Sequence, residues 1–174
     1  MEAVILAAGL GTRLRPYTEN YPKPLLKVAG RELLYRHLFL LQKHGIKKFV
    51  LVINPSHRTF YQNFVKENPQ FKIVLVENPF PERGNGYSFS LAKDYVFGPF
   101  VLTMGDHVYE PAFVARALTK RGLFLTKRAY ILTTRRPPRP FAKKDVLFVW
   151  PKTLKNIRAL IRAFSCLSLA FLKM

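Results

Sequence analysis

The feature that most constrains this chain is a short apolar strand that runs directly into a glycine turn and a cation-bearing loop. Residues 3–6 are apolar without interruption and include β-branched Val4 and Ile5, the composition of a strand buried on both faces. Gly9 and Gly11 follow at once, and the loop beyond them carries Arg13, Arg15, Lys23 and Lys27. A glycine has no Cβ to hold a ligand away from the backbone, and successive backbone N–H groups form a concave anion site. Guanidinium and ammonium groups on the same loop point to phosphate as that anion. Leu6, Ala7, Ala8, Gly9, Gly11 and Thr12, with Arg13 and Lys23, therefore form a candidate phosphate-binding segment. The plainer reading, a glycine turn flanked by surface cations, is an ordinary feature of α/β domains.

Two familiar phosphate loops fail on spacing. A dinucleotide fingerprint starting at Gly9 and Gly11 requires glycine at 14, where Leu14 stands. A P-loop requires Gly-Lys-Ser/Thr there, and Leu14-Arg15-Pro16 does not supply it.

Further along, periodicity predicts alternating elements. Residues 2–8 form the first strand. Apolar residues at 33, 34, 38, 40 and 41 have helical spacing within 30–44, with Gly45 placed as a C-terminal cap. A second strand is expected over 47–53. Asn54-Pro55-Ser56 then supplies turn and capping chemistry for a helix over 57–67. A third strand over 71–77, a Pro- and Gly-punctuated loop over 78–85, a helix over 86–96, a fourth strand over 100–104 and a helix over 110–121 follow. Phe39, Phe49, Phe71 and Phe100 fall in core patterns. Strands alternating with helices predict an α/β fold with a mainly parallel sheet, whose ligands bind beyond the carboxyl ends of the strands.

Three loops carry chemistry at that end: 9–23, 78–86 and 105–107. Asp106 directly follows a buried strand, a place that suits Mg²⁺, which takes one or two carboxylates together with substrate phosphates. Aspartate is equally a common turn residue, so by itself the position has two readings. In Glu82-Arg83-Gly84-Asn85-Gly86, the Asn85 amide can donate to and accept from a base edge, and Gly86 admits a planar base against the backbone. A turn opening a helix is the alternative. His37, His44, His57 and His107 show no metal-ligand spacing, and His37, His57 and His107 read as turn or surface residues. Tyr17 and Tyr21 flank the phosphate loop, as packing residues under it or as a stacking surface.

Residues 9–28, GLGTRLRPYTENYPKPLLKV, resemble the signature of nucleotidyltransferases that join a nucleoside triphosphate to a sugar or polyol phosphate. MEAVILAAGLGTRL, VENPFPERGNGYSFSLAKDY and FVLTMGDHVYEPAFVARAL are similar in character to CTP:inositol-1-phosphate cytidylyltransferases, a domain often fused to a membrane-embedded phosphatidyltransferase. The resemblance covers about residues 1–121. It implies a Rossmann-like, mainly parallel sheet with helices on both faces. It also implies Mg²⁺ on Asp106, nucleobase contact through Asn85 and Gly86, and catalytic roles for Arg13 and Lys23. The implied partners are a nucleoside triphosphate, CTP first, and a phosphorylated polyol or sugar such as inositol 1-phosphate. In the implied reaction an acceptor phosphate oxygen attacks the α-phosphorus in line and pyrophosphate leaves.

Past residue 121 the composition changes. Residues 1–110 hold 14 Lys and Arg against 9 Asp and Glu, whereas residues 111–174 hold 15 against one, Asp145. Most of the net charge of +19 therefore sits at the back. The run Arg135-Arg136-Pro137-Pro138-Arg139-Pro140 serves no nucleotidyltransferase core. The segment 122–174 reads as a truncated or aberrant C-terminal part, the signature of a shifted reading frame near codon 121. A counter-reading places a basic amphipathic helix over 154–174 on an anionic membrane or a partner. Two further functions follow from the tail: a binder of nucleic acid or anionic lipid, and an inactive relic that holds nucleotide without turnover. Nucleic acid ranks low because no stacking motif interleaves the cations. A single cysteine, Cys166, rules out an internal disulfide, and no signal peptide is visible after Met1. A cytoplasmic enzyme is the expectation.

Overall fold

The computed structural model describes residues 1–119 together with the two strand segments 122–126 and 145–150. Four strands form a parallel core: β1 (Glu2–Ala7), β4 (Lys48–Ile53), β5 (Ile73–Glu77) and β6 (Phe100–Met104), preceded after β1 by the short β2 (Lys27–Val28) and β3 (Arg31–Glu32). Two further strands, β7 (Gly122–Thr126) and β8 (Asp145–Trp150), extend the sheet in the order β5-β4-β1-β6-β8-β7. β8 runs antiparallel to β6, and β7 antiparallel to β8. The sheet is thus parallel through its centre and antiparallel at one edge, and it continues past residue 121.

Strand side chains alternate between two faces, and both are covered. Ala3, Ile5 and Ala7 of β1 face one core with Phe49, Leu51 and Ile53 of β4. That core is capped by α1 (Leu33–Lys43), α2 (Arg58–Glu67) and α4 (Pro111–Thr119) through Leu34, Leu38, Leu41, Tyr61, Phe64, Val114 and Ala117. Val4 and Leu6 face the other core, closed by Phe89 and Ala92 of α3 (Gly84–Ala92). Each fully buried Leu or Ile contributes roughly 1.5–3 kcal/mol over its exposed state. Helices therefore lie on both faces of the sheet, as the resemblance implied.

Several boundaries differ from expectation for identifiable reasons. Residues 30–32 are not helical. Ala29 (φ 47°) and Gly30 (φ 78°) make a two-residue hairpin turn between β2 and β3, and α1 starts only at Leu33. Two successive positive φ values match the right-handed twist of a hairpin. Phe71 is buried, but in the turn ahead of β5, where its N–H donates to the Asn68 carbonyl. The helix expected over 86–96 begins at Gly84 and passes into a 3-10 turn at Lys93–Tyr95. Asn54 does cap, accepting from the Ser56 N–H within the 3-10 turn Pro55–His57. Gly45, at φ 86°, closes α1 with Ile46 N–H on the Leu41 carbonyl.

Two side chains sit opposite to their expected place. Phe39 is 42% exposed, stacked on Tyr35 with the Lys43 ammonium over its ring. Leu34, Leu38 and Leu41 take the inward stripe of α1, which leaves position 39 outside. His37 shares that inward stripe and is 3% exposed, so it is a core histidine, not a surface one. The candidate helix over 154–174 and the Arg-Pro run at 135–140 lie outside the described residues.

Candidate active site

The chain visits β1, β4 and β5 in order moving outward, then returns through α3 to place β6 on the other side of β1. The order reverses between β1 and β6. In open α/β sheets that reversal leaves a crevice beyond the carboxyl ends, where ligands bind. Two of the three chemistry-bearing loops flank it, one leaving β1 and the other leaving β6.

Their closeness is direct. The Gly105 N–H donates to the Leu6 carbonyl at 2.9 Å, one step past the pairing of Leu6 with Met104. A Cβ at Gly105 would meet Ala7 Cβ at 3.2 Å and Pro24 Cγ at 3.2 Å. Three segments (the end of β1, the Lys23 loop and the Asp106 loop) therefore touch where a side chain has no room. Lys23 Nζ donates to Asp106 Oδ2 at 2.5 Å across 83 residues of sequence. Burial opposes ionisation of Asp106, but the Lys23 ammonium, His107 and the hydrogen bond from Lys23 outweigh it and hold the carboxyl below its ordinary value of 3.8. The carboxylate is charged at neutral pH.

Other elements brace the turn. Tyr61 of α2, fully buried, donates its hydroxyl to the Ala7 carbonyl at 3.2 Å, tying the end of β1 to the helix layer. Gly11 adopts φ 64°, and its carbonyl accepts from Thr18 Oγ1 at 2.7 Å; a Cβ there would lie 3.0 Å from Thr18 Cβ. Gly11 is thus required by the fold itself, whereas nothing lies within 4 Å of a Cβ at Gly9. Tyr21 packs on Phe60 and donates to the Leu25 carbonyl, while Tyr17 stays exposed.

The structure does not bring every candidate together. Thr12 and Arg13 lie on an exposed 3-10 turn (Thr12–Leu14), and Arg13 makes no ion pair or hydrogen bond among the described residues. Lys27 turns away to Glu32 across the hairpin. Asn85 and Gly86 occupy the first turn of α3. Leu6, Ala7 and Ala8 are buried in the strand end.

Sequence reasoning missed Asn78, which organises the third loop. It is fully buried, accepts from the Phe80 N–H, donates its amide to Ser88 Oγ, and gives its own N–H to the Ile53 carbonyl. It pins the 78–86 loop to the carboxyl ends of β4 and β5. Arg83 stacks over Phe80 and Tyr87 on the outer side of this loop, and Glu82 is exposed. An Asn directly after a strand is the signal that could have found it.

A doubly wound α/β domain with a glycine turn and a Lys–Asp pair at its switch point has the architecture of nucleotide-binding domains. Residues 2–138 match the nucleotidyl transferase family. The chain belongs to that family. It is 52% identical over 121 residues to the bifunctional IPC transferase and DIPP synthase of Thermococcus kodakarensis, an overlap of 70% of this chain and 27% of that protein. Its counterpart in Aquifex aeolicus is 48% identical over 125 residues, covering 72% and 29% respectively. The chain thus spans little more than a quarter of the length of these curated relatives. Among solved structures, the inositol-1-phosphate CTP transferase from T. maritima superposes with a TM-score of 0.66 at 26% identity, covering 85% of this chain and 70% of that one.

No helix among the described residues is long and apolar enough to cross a membrane, and none of their acidic, His and Cys side chains cluster in threes as a resident metal site would.

Proposed function

We propose that this chain carries the nucleotide half of a cytidylyltransferase that transfers CMP from CTP to a polyol phosphate such as inositol 1-phosphate and releases pyrophosphate. The observation that carries the reading is the Lys23–Asp106 pair beside the Gly11 turn, at the β1/β6 crevice. The choice of CTP and inositol phosphate rests on its similarity to the IPC transferases and to the inositol-1-phosphate CTP transferase from T. maritima.

In this scheme the backbone N–H groups of residues 11–13 and the charges of Arg13 and Lys23 receive the triphosphate. Lys23 is held beside Asp106 before the ligand arrives by the packing of its neighbours Pro22, Pro24 and Leu25, so little ordering entropy remains to be lost on binding. Leu6, Ala7, Ala8 and Gly9 bring the strand end against the nucleotide, and Asn85 and Gly86 meet the base from the first turn of α3. An acceptor phosphate oxygen forms a bond to the α-phosphorus as the bond to the bridging oxygen breaks, and pyrophosphate carries the electron pair away. No general base is needed, because the acceptor phosphate is already anionic. Positioning and neutralisation of charge are the main contributions such a displacement requires.

Mg²⁺ fits the donor set as a shared ion. One ionised carboxylate, Asp106, lies in the crevice with no cluster of acids around it among the described residues, which suits an ion completed by substrate phosphates and water. Bound there, Mg²⁺ would neutralise charge on the phosphate oxygens. The cytoplasm is the proposed compartment. The division of the chain near residue 121 belongs to the same proposal, and sequencing the coding DNA around codon 121 tests it.

Calorimetry with CTP, UTP, dTTP and GTP in Mg²⁺ tests the nucleotide site, and pyrophosphate release with inositol 1-phosphate tests turnover. Preferential CTP binding with release supports the proposal. Binding without release identifies a relic, and binding of no ribonucleotide overturns the reading.

A further inference from the structure

Between residues 11 and 20 the chain forms an exposed loop in which only Thr18 is buried. It is 3% exposed, whereas Thr12, Arg13, Arg15, Pro16 and Tyr17 lie open to solvent. A buried hydroxyl requires a partner. Thr18 Oγ1 donates to the Gly11 carbonyl at 2.7 Å and so closes the loop on itself. The Leu14 N–H donates to the same carbonyl at 2.9 Å, so both lone pairs of that oxygen are taken.

Gly11 needs such a lock. At φ 64° and ψ 17° it makes the turn that follows β1, but glycine reaches other conformations at little cost, and nothing in the residue itself stops the next peptide turning over. The Leu14 bond is a single 3-10 bond on an exposed turn, a weak restraint. The Thr18 bond comes from a side chain that is itself buried, with its Cβ packed 3.0 Å from where a Gly11 side chain would stand.

Fixing that carbonyl fixes the next N–H. The Gly11–Thr12 peptide is trans and planar, so the Thr12 N–H points opposite to the Gly11 oxygen. With the oxygen held on Thr18, the N–H faces away from the buried foot of the loop. Neither the Thr12 nor the Arg13 N–H has a hydrogen-bond acceptor among the described residues. We propose that Thr18 is a positioning residue for the triphosphate: it holds the Gly11–Thr12 peptide plane so that the Thr12 N–H is aimed at a phosphate oxygen before the ligand arrives. The identity of the ligand rests on the cytidylyltransferase reading; the orientation of the peptide does not.

Two measurements on the full chain test the two parts. The ¹H–¹⁵N residual dipolar coupling of Thr12, read without ligand in an aligned sample, reports the direction of its N–H. Wild type and Thr18→Ser, which keeps the hydroxyl, are expected to share one value. Thr18→Val, which keeps the shape and loses the hydroxyl, is expected to depart from it, and Thr18→Ala takes its place if that variant does not fold. An unchanged coupling in the variant without the hydroxyl overturns the proposal. Calorimetry with CTP and with inorganic tripolyphosphate, Mg²⁺ present throughout, then reads the consequence. Thr18→Val should weaken both by the same factor of about tenfold or more, the worth of one aligned hydrogen bond to a charged group. Thr18→Ser should bind both as wild type does, and cytidine, followed by NMR titration, should bind all variants equally. A wild type that binds CTP with no loss in Thr18→Val, or with an equal loss for cytidine, overturns the role of Thr18 and leaves the nucleotide reading intact. One that binds tripolyphosphate without preferring CTP among the nucleotides removes the cytidine reading and leaves Thr18 its role. Binding of neither overturns both.

Discussion

Lowering the pH from 7 to 4 should destabilise this protein, because its unfolded chain takes up a proton at His37 that the folded one refuses. Burial holds the His37 imidazole at about 3, against an ordinary value of 6.5; nearby His107 pushes the same way, and Asp106 and the Met104 carbonyl only partly oppose them. The unfolded chain takes up a proton near 6.5, whereas the folded one resists until about 3. Below 6.5 the unfolded state therefore binds more protons, and stability falls as pH falls, by up to ~1.4 kcal/mol per unit. Over the two and a half units down to pH 4 the loss is about 3 kcal/mol, a large share of the roughly 5–15 kcal/mol that holds an ordinary domain together. Asp106, whose value is depressed, acts in the same sense but lower, since its contribution is lost as pH falls below 3.8. His57, also lowered by burial, overlaps the His37 window and must be subtracted. The assay is urea unfolding at pH 7, 6, 5 and 4 for wild type and His37→Gln, which retains an N–H for Thr103. The variant should lose about 3 kcal/mol less than wild type between the two extremes. Parallel profiles would refute the assignment of His37 as a buried neutral base.

Four other outcomes are expected. Arg13→Ala and Lys23→Ala should each lower turnover by about 100-fold or more, read as pyrophosphate release, because each removes a positive charge that the scheme places on the transferring phosphates; near-normal rates in both are incompatible with the scheme. Tyr61→Phe should cost about 1–2 kcal/mol in denaturant unfolding, the penalty of leaving the buried Ala7 carbonyl without its donor. Gly11→Ala should cost about 1–2 kcal/mol, through positive φ and the crowding of Thr18, and weaken CTP binding in calorimetry. Lys23→Met combined with Asp106→Leu should shift stability by no more than about 1 kcal/mol in the same unfolding assay, because a partly exposed pair contributes little, yet abolish pyrophosphate release.

The parallel core was legible because its strands are pure apolar runs: β1 and β6 begin and end within a residue of where periodicity placed them. Asp106 was legible for the same reason, as the first carboxylate after such a run. The Ala29–Gly30 hairpin was not, since alanine at positive φ carries no turn signal. Nor was the burial of His37. Its position three residues before Leu40 and four before Leu41 reads equally as an edge of the apolar stripe or its centre, and only its contact with Thr103 decides. Asn78 and Tyr61 escaped because their partners, Ser88 and the Ala7 carbonyl, lie across the fold. The Lys23–Asp106 contact had no sequence-local cause at all.

That contact has a cause in packing. Pro22 and Pro24 stiffen the chain around Lys23, and Leu25, 2% exposed, anchors the 3-10 turn Lys23–Leu25 in the core that α1 covers. Leu33 N–H on the Leu26 carbonyl ties the same turn to the start of α1. From the other side, Gly105 lets the β6 loop press against Pro24 and Ala7 with no side chain between. The ammonium is therefore placed by burial of its neighbours, and the ion pair is a result of that placement. With side chains 24% and 29% exposed, the pair is too wet to account for the ordering of a loop this long. Two prolines, a buried leucine and a close-contact glycine thus hold one cation beside one carboxylate where the order of the parallel strands reverses between β1 and β6, at the crevice where ligands of open α/β sheets bind.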